Sequence, residues 1–399
     1  MRLLHTSDWH LGHTLKEVTR EREHAAFLAW LLELCTREAP DVVVVTGDVF
    51  DSATPPASAE TMWFEWLAAA RRACPAMDIV VIAGNHDSPA RLGAASAVLR
   101  ELGVHVVGGL PRRADGALDH DRLLVPVAGR RGLVAAVPFL RPVDLVDEAD
   151  DPLAAIYAEV LDEARRRRAP DQALIALGHL YMTGADPSVL SERRISIGGQ
   201  ESASLRMFPT DIDYVALGHL HRAQRVGRDS IRYAGAPIAL ALDEASYRHQ
   251  VAVVDFANGR VAEIRGIPVP QAIEIVRIAG TLDDVLAAIA RLPALPALGG
   301  DDGARPYLDV HVVLEQPEPR LRTRLETALD GKRPRLVQLR VEGTGDGAAL
   351  AERVNVRRLA ELDPRDVFVQ LWTRGHAEPP SEPVRAAFDR LLADVQGVS

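Results

Sequence analysis

Cysteine, aromatic residues and long apolar runs are all scarce in this chain. Two cysteines in 399 residues, Cys35 and Cys74, give neither a disulfide framework nor a zinc-knuckle spacing, and the expected setting is reducing and cytoplasmic. No apolar run approaches the roughly 20 residues that a membrane-spanning helix needs, so a membrane protein is excluded. The opening MRLLHTSDWHLG puts polar, metal-capable side chains where a signal peptide would carry its apolar core, and no cleaved leader is expected. Excess positive charge is missing too: 46 Lys and Arg against 56 Asp and Glu leave a formal net charge of -10. Such a chain lacks the positive field of a nucleic-acid binder that works alone. A nucleic-acid substrate would have to be held by local patches, metal ions or a partner.

What is present is the composition of a folded globular protein, with 47% hydrophobic and 26% charged residues and a length that suggests two or three domains. Residues 1–270 alternate short β-branched runs with amphipathic stretches, the pattern of a layered α/β domain. Strands are expected at Arg2 to Thr6, Asp41 to Thr46, Ile79 to Ala83, Leu174 to Leu177 and Tyr214 to Leu217, with helices over Glu21 to Arg37 and Ala57 to Ala73. The run DVVVVT has the continuous apolar character of a strand covered on both faces. Residues 271–342 read as a small α/β module in the order strand, helix, strand, helix, strand. Residues 343–399 begin with a Gly-rich link and end in two helical stretches, the second carrying Val384, Phe388, Leu391, Leu392 and Val395 at helical spacing.

The chemistry sits where strands end. Asp8 and His10 follow the first strand, Asp48 and Asp51 the second, and Asn85, His86 and Asp87 the third; His179 follows a later strand, and His219 and His221 another. In α/β folds the loops at the carboxyl ends of strands gather at one sheet edge, so these residues can share a site. Asp, His and the Asn carbonyl suit borderline divalent metals such as manganese, iron or zinc. In Asp8-x-His10 and His219-x-His221, residues two apart project to one side of an extended chain. One such element is usually structural; five in order point to a metal site.

Together, Asp8-x-His10, Gly47-Asp48, Gly84-Asn85-His86-Asp87, Gly178-His179 and Gly218-His219-x-His221 resemble the signatures of the calcineurin-like metallophosphoesterases. The stretches RLLHTSDWHLG, VVVTGDVFDSATPP, VIAGNHDSPARL and YVALGHLHRAQ narrow the resemblance to the SbcD family, nuclease subunits of bacterial SbcCD complexes. The resemblance implies a layered α/β/β/α sandwich with a small α/β cap and C-terminal helices. It implies two divalent metals, usually Mn2+, bridged by Asp48, with Asp8, His10 and His221 completing one and Asn85, His179 and His219 the other. His86 is then the catalytic histidine and Asp51 the carboxylate that orients it. Implied partners are double-stranded and hairpin DNA, an SbcC-like ABC-type ATPase with a coiled coil, and a second copy of the chain within a heterotetramer; the implied setting is the nucleoid-associated cytoplasm.

Other residues carry weaker signals. His5 is expected to be buried, His13 and His24 to lie at the surface or reach substrate, and Trp9 to pack beneath its neighbours. Trp63, Phe64 and Trp66 are read as core, or as contributors to a dimer contact. For DNA contact the candidates are Arg20, Arg22, Arg193, Arg194, Arg222, Arg225, Arg228 and Arg232, while Arg165 to Arg168 read as a solvated helix end or a backbone contact. A phosphoesterase acting on a small diester and an inactive adaptor are the competing readings. The C-terminal module argues against the first and the complete ligand set against the second.

Overall fold

The computed structural model describes residues 1–145, 150–187, 202–295 and 304–343, with residues 368, 369, 372, 380–385, 387 and 388 near the C-terminus. The described residues form two six-stranded sheets, a three-stranded sheet and a small hairpin. The first sheet runs Arg260–Pro268, Gln250–Ala257, Arg2–Thr6, Val42–Thr46, Asp78–Ile82 and Val104–Val107, the last four parallel. The second runs Gln224–Val226, Arg228–Tyr233, Tyr214–Gly218, Ala173–His179, Gly132–Ala136 and Leu124–Val127, with the inner four parallel.

Side-chain alternation along the strands builds the layers. Leu3, Val42, Val44, Val80 and Ile82 point into the space between the two sheets, where they meet Val134, Ile175 and Val215. Their neighbours Leu4, Val43, Val45, Ile79 and Val81 point the other way, beneath helices Glu21–Glu38 and Ala57–Ala73. The second sheet is covered on its outer face by helix Pro152–Arg167 through Ile156, Tyr157, Val160 and Leu161. Burial on both faces is why the parallel strands read as unbroken apolar runs, and the result is the expected α/β/β/α sandwich.

Strand Arg260–Pro268 escaped the sequence reading, because it is a half-exposed sheet edge whose Arg260, Glu263 and Arg265 interrupt any apolar run. Such charges protect an edge from pairing with other chains. Its hairpin closes on Asn258 and Gly259, both at positive φ, the two-residue turn that matches the twist of the flanking strands. The third sheet pairs Ile275–Thr281, Tyr307–Leu314 and Arg335–Gly343 in parallel, with helices Leu282–Ala290 and Leu321–Leu329. Its own core is built on Val285, Ile289, Leu308, Val310, Val312 and Leu325. In the C-terminal region Phe368 stacks on Phe388 with ring centroids 4.1 Å apart, while Leu391, Leu392 and Val395 lie outside the described residues.

Trp9 is buried and meets Phe27, Trp63 and Trp66 edge-on, with centroids 5.6, 5.6 and 5.1 Å away, and its Nε1 donates to Thr6 Oγ1 at 2.9 Å. Trp63 and Trp66 therefore belong to the core, whereas Phe64, on the same helix, is 46% exposed. His5 is buried between Tyr214 and Thr46, as expected. His24 corrects its sequence reading: it faces inward from helix Glu21–Glu38 and is as buried as Leu31.

This packing sets the cost of substitutions and of acid. Trp63→Ala should lower the free energy of unfolding by about 3–5 kcal/mol, whereas Phe64→Ala should change it by no more than about 0.5 kcal/mol; urea denaturation compares them. Burial pushes His5 and His24 down from the ordinary 6.5 to about 3. The unfolded chain takes up these protons near pH 6.5 and the folded chain only near 3, so stability should fall as the pH drops through that window. The slope should be about 1.4 kcal/mol per pH unit per histidine. Urea midpoints between about pH 7 and pH 4 should show a shallower fall for His24→Leu than for the wild type.

Candidate metal centre

All five polar turns leave the carboxyl ends of parallel strands. Those carrying Asp8 and His10, Asp48 and Asp51, and Asn85 and His86 come from the first sheet; those carrying His179, His219 and His221 come from the second. The site thus lies where one edge of each sheet meets the other. The turns are tied directly to each other, with Asp8 N–H donating to Gly47 O at 3.0 Å and His10 N–H to Asp48 O at 3.0 Å.

The backbone there is not extended, as the residue spacing had suggested. Asp8, His10, Asp48 and His219 have φ of 52°, 46°, 48° and 97°, in the left-handed region that non-glycine residues rarely enter. Each costs of order 1–3 kcal/mol and persists because the surroundings enforce it. Gly47, with φ of 93°, and Gly84 make the convergence possible: a Cβ on the first would collide with the His179 ring, and one on the second with the Asp48 carboxylate.

Asp48 sits at the centre. Its Oδ2 lies 3.5 Å from His10 Nε2 and 3.3 Å from His179 Nε2, while its Oδ1 accepts the His86 N–H at 2.9 Å. Asn85 Oδ1 lies 3.0 Å from both His179 Nε2 and His219 Nδ1. On the other side, Asp8, His10 and His221 offer ligand atoms within 4.8 Å of one another, as do Asp8, Asp48 and His179.

These contacts distinguish a cation site from a self-contained network. His179 Nδ1 is spent on Thr46 O at 2.8 Å, so its Nε2 faces two acceptors, Asp48 and Asn85. Acceptors so placed repel unless a proton or a cation lies between them. Although burial pulls His179 down, the Asp48 carboxylate outweighs it and pushes the ring up to about 9, so the bare site draws in positive charge. His10 Nε2 is buried without a hydrogen-bond partner, and burial lowers His10 toward the neutral, ligating form. Asp48, despite a burial effect that would raise it, is held well below the usual carboxylate range by His179 and His10. The residues present fit divalent metal.

Other side chains hold these in place. His221 Nδ1 donates to the buried Glu244 Oε1 at 2.8 Å, and His10 Nδ1 faces Asp51 Oδ1 at 3.1 Å. Such outer partners fix the tautomer and ring orientation of a ligating histidine. Asp87 is buried and accepts N–H groups from Gly84 at 2.9 Å, Phe50 at 2.9 Å and Val49 at 3.2 Å, locking two turns together. Burial and the Asp48 charge raise it to about 6.

Three expectations need correction. His86 is exposed, as an acid facing substrate should be, but its Nδ1 meets the Asp51 backbone carbonyl at 2.7 Å. The Asp51 carboxylate is taken instead by His10 and by His13, at 2.9 Å. Arg20 is buried and paired with Glu23, so it does not contact DNA. Arg225 is bound to Asp229, Arg228 to the carbonyls of Phe208 and Pro209, and Arg232 to the carbonyl of Asp229; Arg165, Arg167 and Arg168 each bond a carboxylate from another segment. Arg193 and Arg194 lie outside the described residues. Sequence reading missed Glu244 altogether and took His13 as a surface residue or one that reaches substrate, not as a partner of Asp51.

Comparison with known proteins agrees with this geometry. Residues 1–223 match the family model for calcineurin-like phosphoesterases, and residues 269–375 match a model described as the type 5 capsule protein repressor C-terminal domain. The chain is 41% identical over 360 residues to the SbcD subunit of the nuclease SbcCD from Rhodobacter capsulatus, covering 86% of this chain and 87% of that one. It is 36% identical over 311 residues to the corresponding subunit from Escherichia coli K12, covering 72% and 73%, and 38% identical over 276 residues to that from Bacillus subtilis, covering 66% and 68%. With this ligand-rich edge inside the matched region, the chain belongs to the calcineurin-like phosphoesterases and, among them, to the SbcD nuclease subunits.

Proposed function

We propose that this chain cleaves DNA phosphodiester bonds at a two-manganese centre and does so as the nuclease subunit of a complex with an SbcC-like ATPase. The observation that supports it most is the pair of histidine nitrogens, His10 Nε2 from the first sheet and His179 Nε2 from the second, that both reach Asp48 Oδ2, at 3.5 and 3.3 Å. In this reading Asp48, Asp8, His10 and His221 would hold one ion, and Asp48, Asn85, His179 and His219 the other. Bound divalent ions supply Lewis acidity and an activated nucleophile for in-line attack at phosphorus. His86, exposed and held through its Nδ1 by the Asp51 carbonyl, presents its remaining nitrogen to the substrate side and donates a proton to the leaving oxygen. Asp51 works one step back, steadying His10 through its carboxylate and His86 through its carbonyl.

Residues 1–270 form the nuclease domain, 271–342 the cap and 343–399 the partner-binding region. Most described arginines near the site are engaged within the chain and the net charge is negative, so affinity for double-stranded and hairpin ends comes from the metals and the ATPase. Phe64, exposed on helix Ala57–Ala73, is the residue of that helix we assign to the contact between two copies in the heterotetramer. Among the described residues no helix is long and apolar enough to cross a membrane; the cytoplasmic, nucleoid-associated setting is part of the proposal.

A linear duplex with hairpin ends, incubated in Mn2+ with the protein alone and then with its ATPase partner and ATP, tests this reading. Cleavage should be weak alone and stimulated by the partner, and Asp48→Ala should abolish it; full activity of that variant would sink the two-metal assignment. His86→Ala should keep both ions in a metal-binding titration while turnover falls roughly 10²- to 10⁴-fold. Loss of an ion would make His86 a ligand instead.

A further inference from the structure

Glu244 lies in no motif and outside the proposed ligand set, yet it is fully buried and both of its carboxylate oxygens are used. Oε1 accepts from His221 Nδ1 at 2.8 Å, and Oε2 accepts from the Leu240 N–H at 2.7 Å. The Leu240 carbonyl in turn faces His13 Nε2 at 2.9 Å, and His13 Nδ1 lies 2.9 Å from the Asp51 oxygen that holds His10. His10 and His221, whose rings are 5.3 Å apart, are therefore anchored from two directions on one short segment, residues 239–244.

That segment also seats the third sheet. Leu242 packs with Leu15, Ile273 and Tyr307, and its carbonyl accepts from Arg277 on strand Ile275–Thr281. The carbonyl of Ala239 accepts from Arg20 Nη1 at 2.6 Å. Arg20 forms a buried two-point pair with Glu23, and Glu23 accepts from the Tyr307 hydroxyl at 2.7 Å. Breaking one member of such a network strands a buried charge, so the whole moves as a unit.

We propose that Glu244 is a positioning residue for His221, and that residues 239–244 carry the seating of the third sheet to the His10 and His221 side of the metal centre. This rests on the two-metal reading above. Calorimetric titration of Mn2+ into the full-length wild type, Glu244→Ala, Tyr307→Phe and the double variant tests it, with thermal melts recorded on the same samples. Wild type should bind two ions. Glu244→Ala should weaken one of them about 10- to 100-fold and leave the other unchanged. Tyr307→Phe should weaken the same ion several-fold, and the double variant should lose less than the product of the two effects.

Wild-type affinity for both ions in Glu244→Ala would overturn the positioning role. Unchanged binding in Tyr307→Phe, or losses that simply multiply, would overturn the link to the third sheet. Should the alanine variant fail to fold, Glu244→Gln carries the test, since its amide keeps an acceptor for His221 but sets a donor against the Leu240 N–H; it should weaken the same ion, and intact binding would overturn the proposal. A wild type that binds no Mn2+ would instead refute the two-metal reading itself.

Discussion

The centre of this molecule is organised by one buried charge, the Asp48 carboxylate. A carboxylate taken out of water must be compensated on every side or take up a proton. Asp48 stays ionised because His179 and His10 approach from opposite sheets and the His86 N–H closes the third direction. That requirement explains the local backbone. Left-handed conformations at Asp8, His10, Asp48 and His219 and bare glycines at 47 and 84 are unfavourable or weak choices for a strand end taken alone. They are tolerated because they let side chains from two sheets reach one point, and because the parallel strands at the heart of both sheets, covered on both faces, are rigid enough to hold them there.

The division of labour between ligands and supports follows from the same constraint. A neutral histidine has one donor and one acceptor nitrogen, so committing one to a fixed acceptor aims the other. Thr46 O does this for His179, Asp51 for His10 and Glu244 for His221. One of these partners is a main-chain carbonyl at a strand end and two are carboxylates from loops. The side anchored by carboxylates reaches, through Leu240, the contacts made by the third sheet. The side anchored by Thr46 is held by a strand of the sandwich itself. The two halves of the centre therefore differ in what can disturb them.

Much of this was legible in the sequence, and the misses share a cause. The strands showed because burial on both faces makes continuous apolar runs, and the proposed ligands showed because each stands within a few residues of such a run. Glu244 did not, since its meaning lies in a contact 23 residues away with His221 and in no local pattern. Arg20 and His24 were read as surface residues because a charged or polar side chain at a helix start usually is one. The structure buries both, Arg20 by pairing with Glu23. With Asp51 the expected carboxylate contact to His86 gave way to a carbonyl one: a motif places a side chain near a site, but only the fold decides whether its carboxylate or its carbonyl faces the histidine. The edge strand Arg260–Pro268 was hidden by the charges that keep it from aggregating.

The distribution of arginines completes the picture. A nuclease that held DNA by itself would present unpaired guanidinium groups around its metal edge, where each phosphate contact adds affinity. Here Arg225 and Arg232 are tied to Asp229, and Arg228 and the arginine run that ends helix Pro152–Arg167 lie at the opposite, amino ends of the strands, where they meet backbone carbonyls and Asp121, Asp162, Glu163, Asp211 and Asp213. These pairs stabilise loops at the cost of a free positive surface. On the proposed reading the metal edge, with the carboxylates of Asp8, Asp48 and Asp51, would also repel a polyanion until cations are in place. On that reading, metal loading and substrate approach would be coupled electrostatically, and a separate DNA-gripping partner would complement this surface better than added arginines, which the carboxylates already present would bind first.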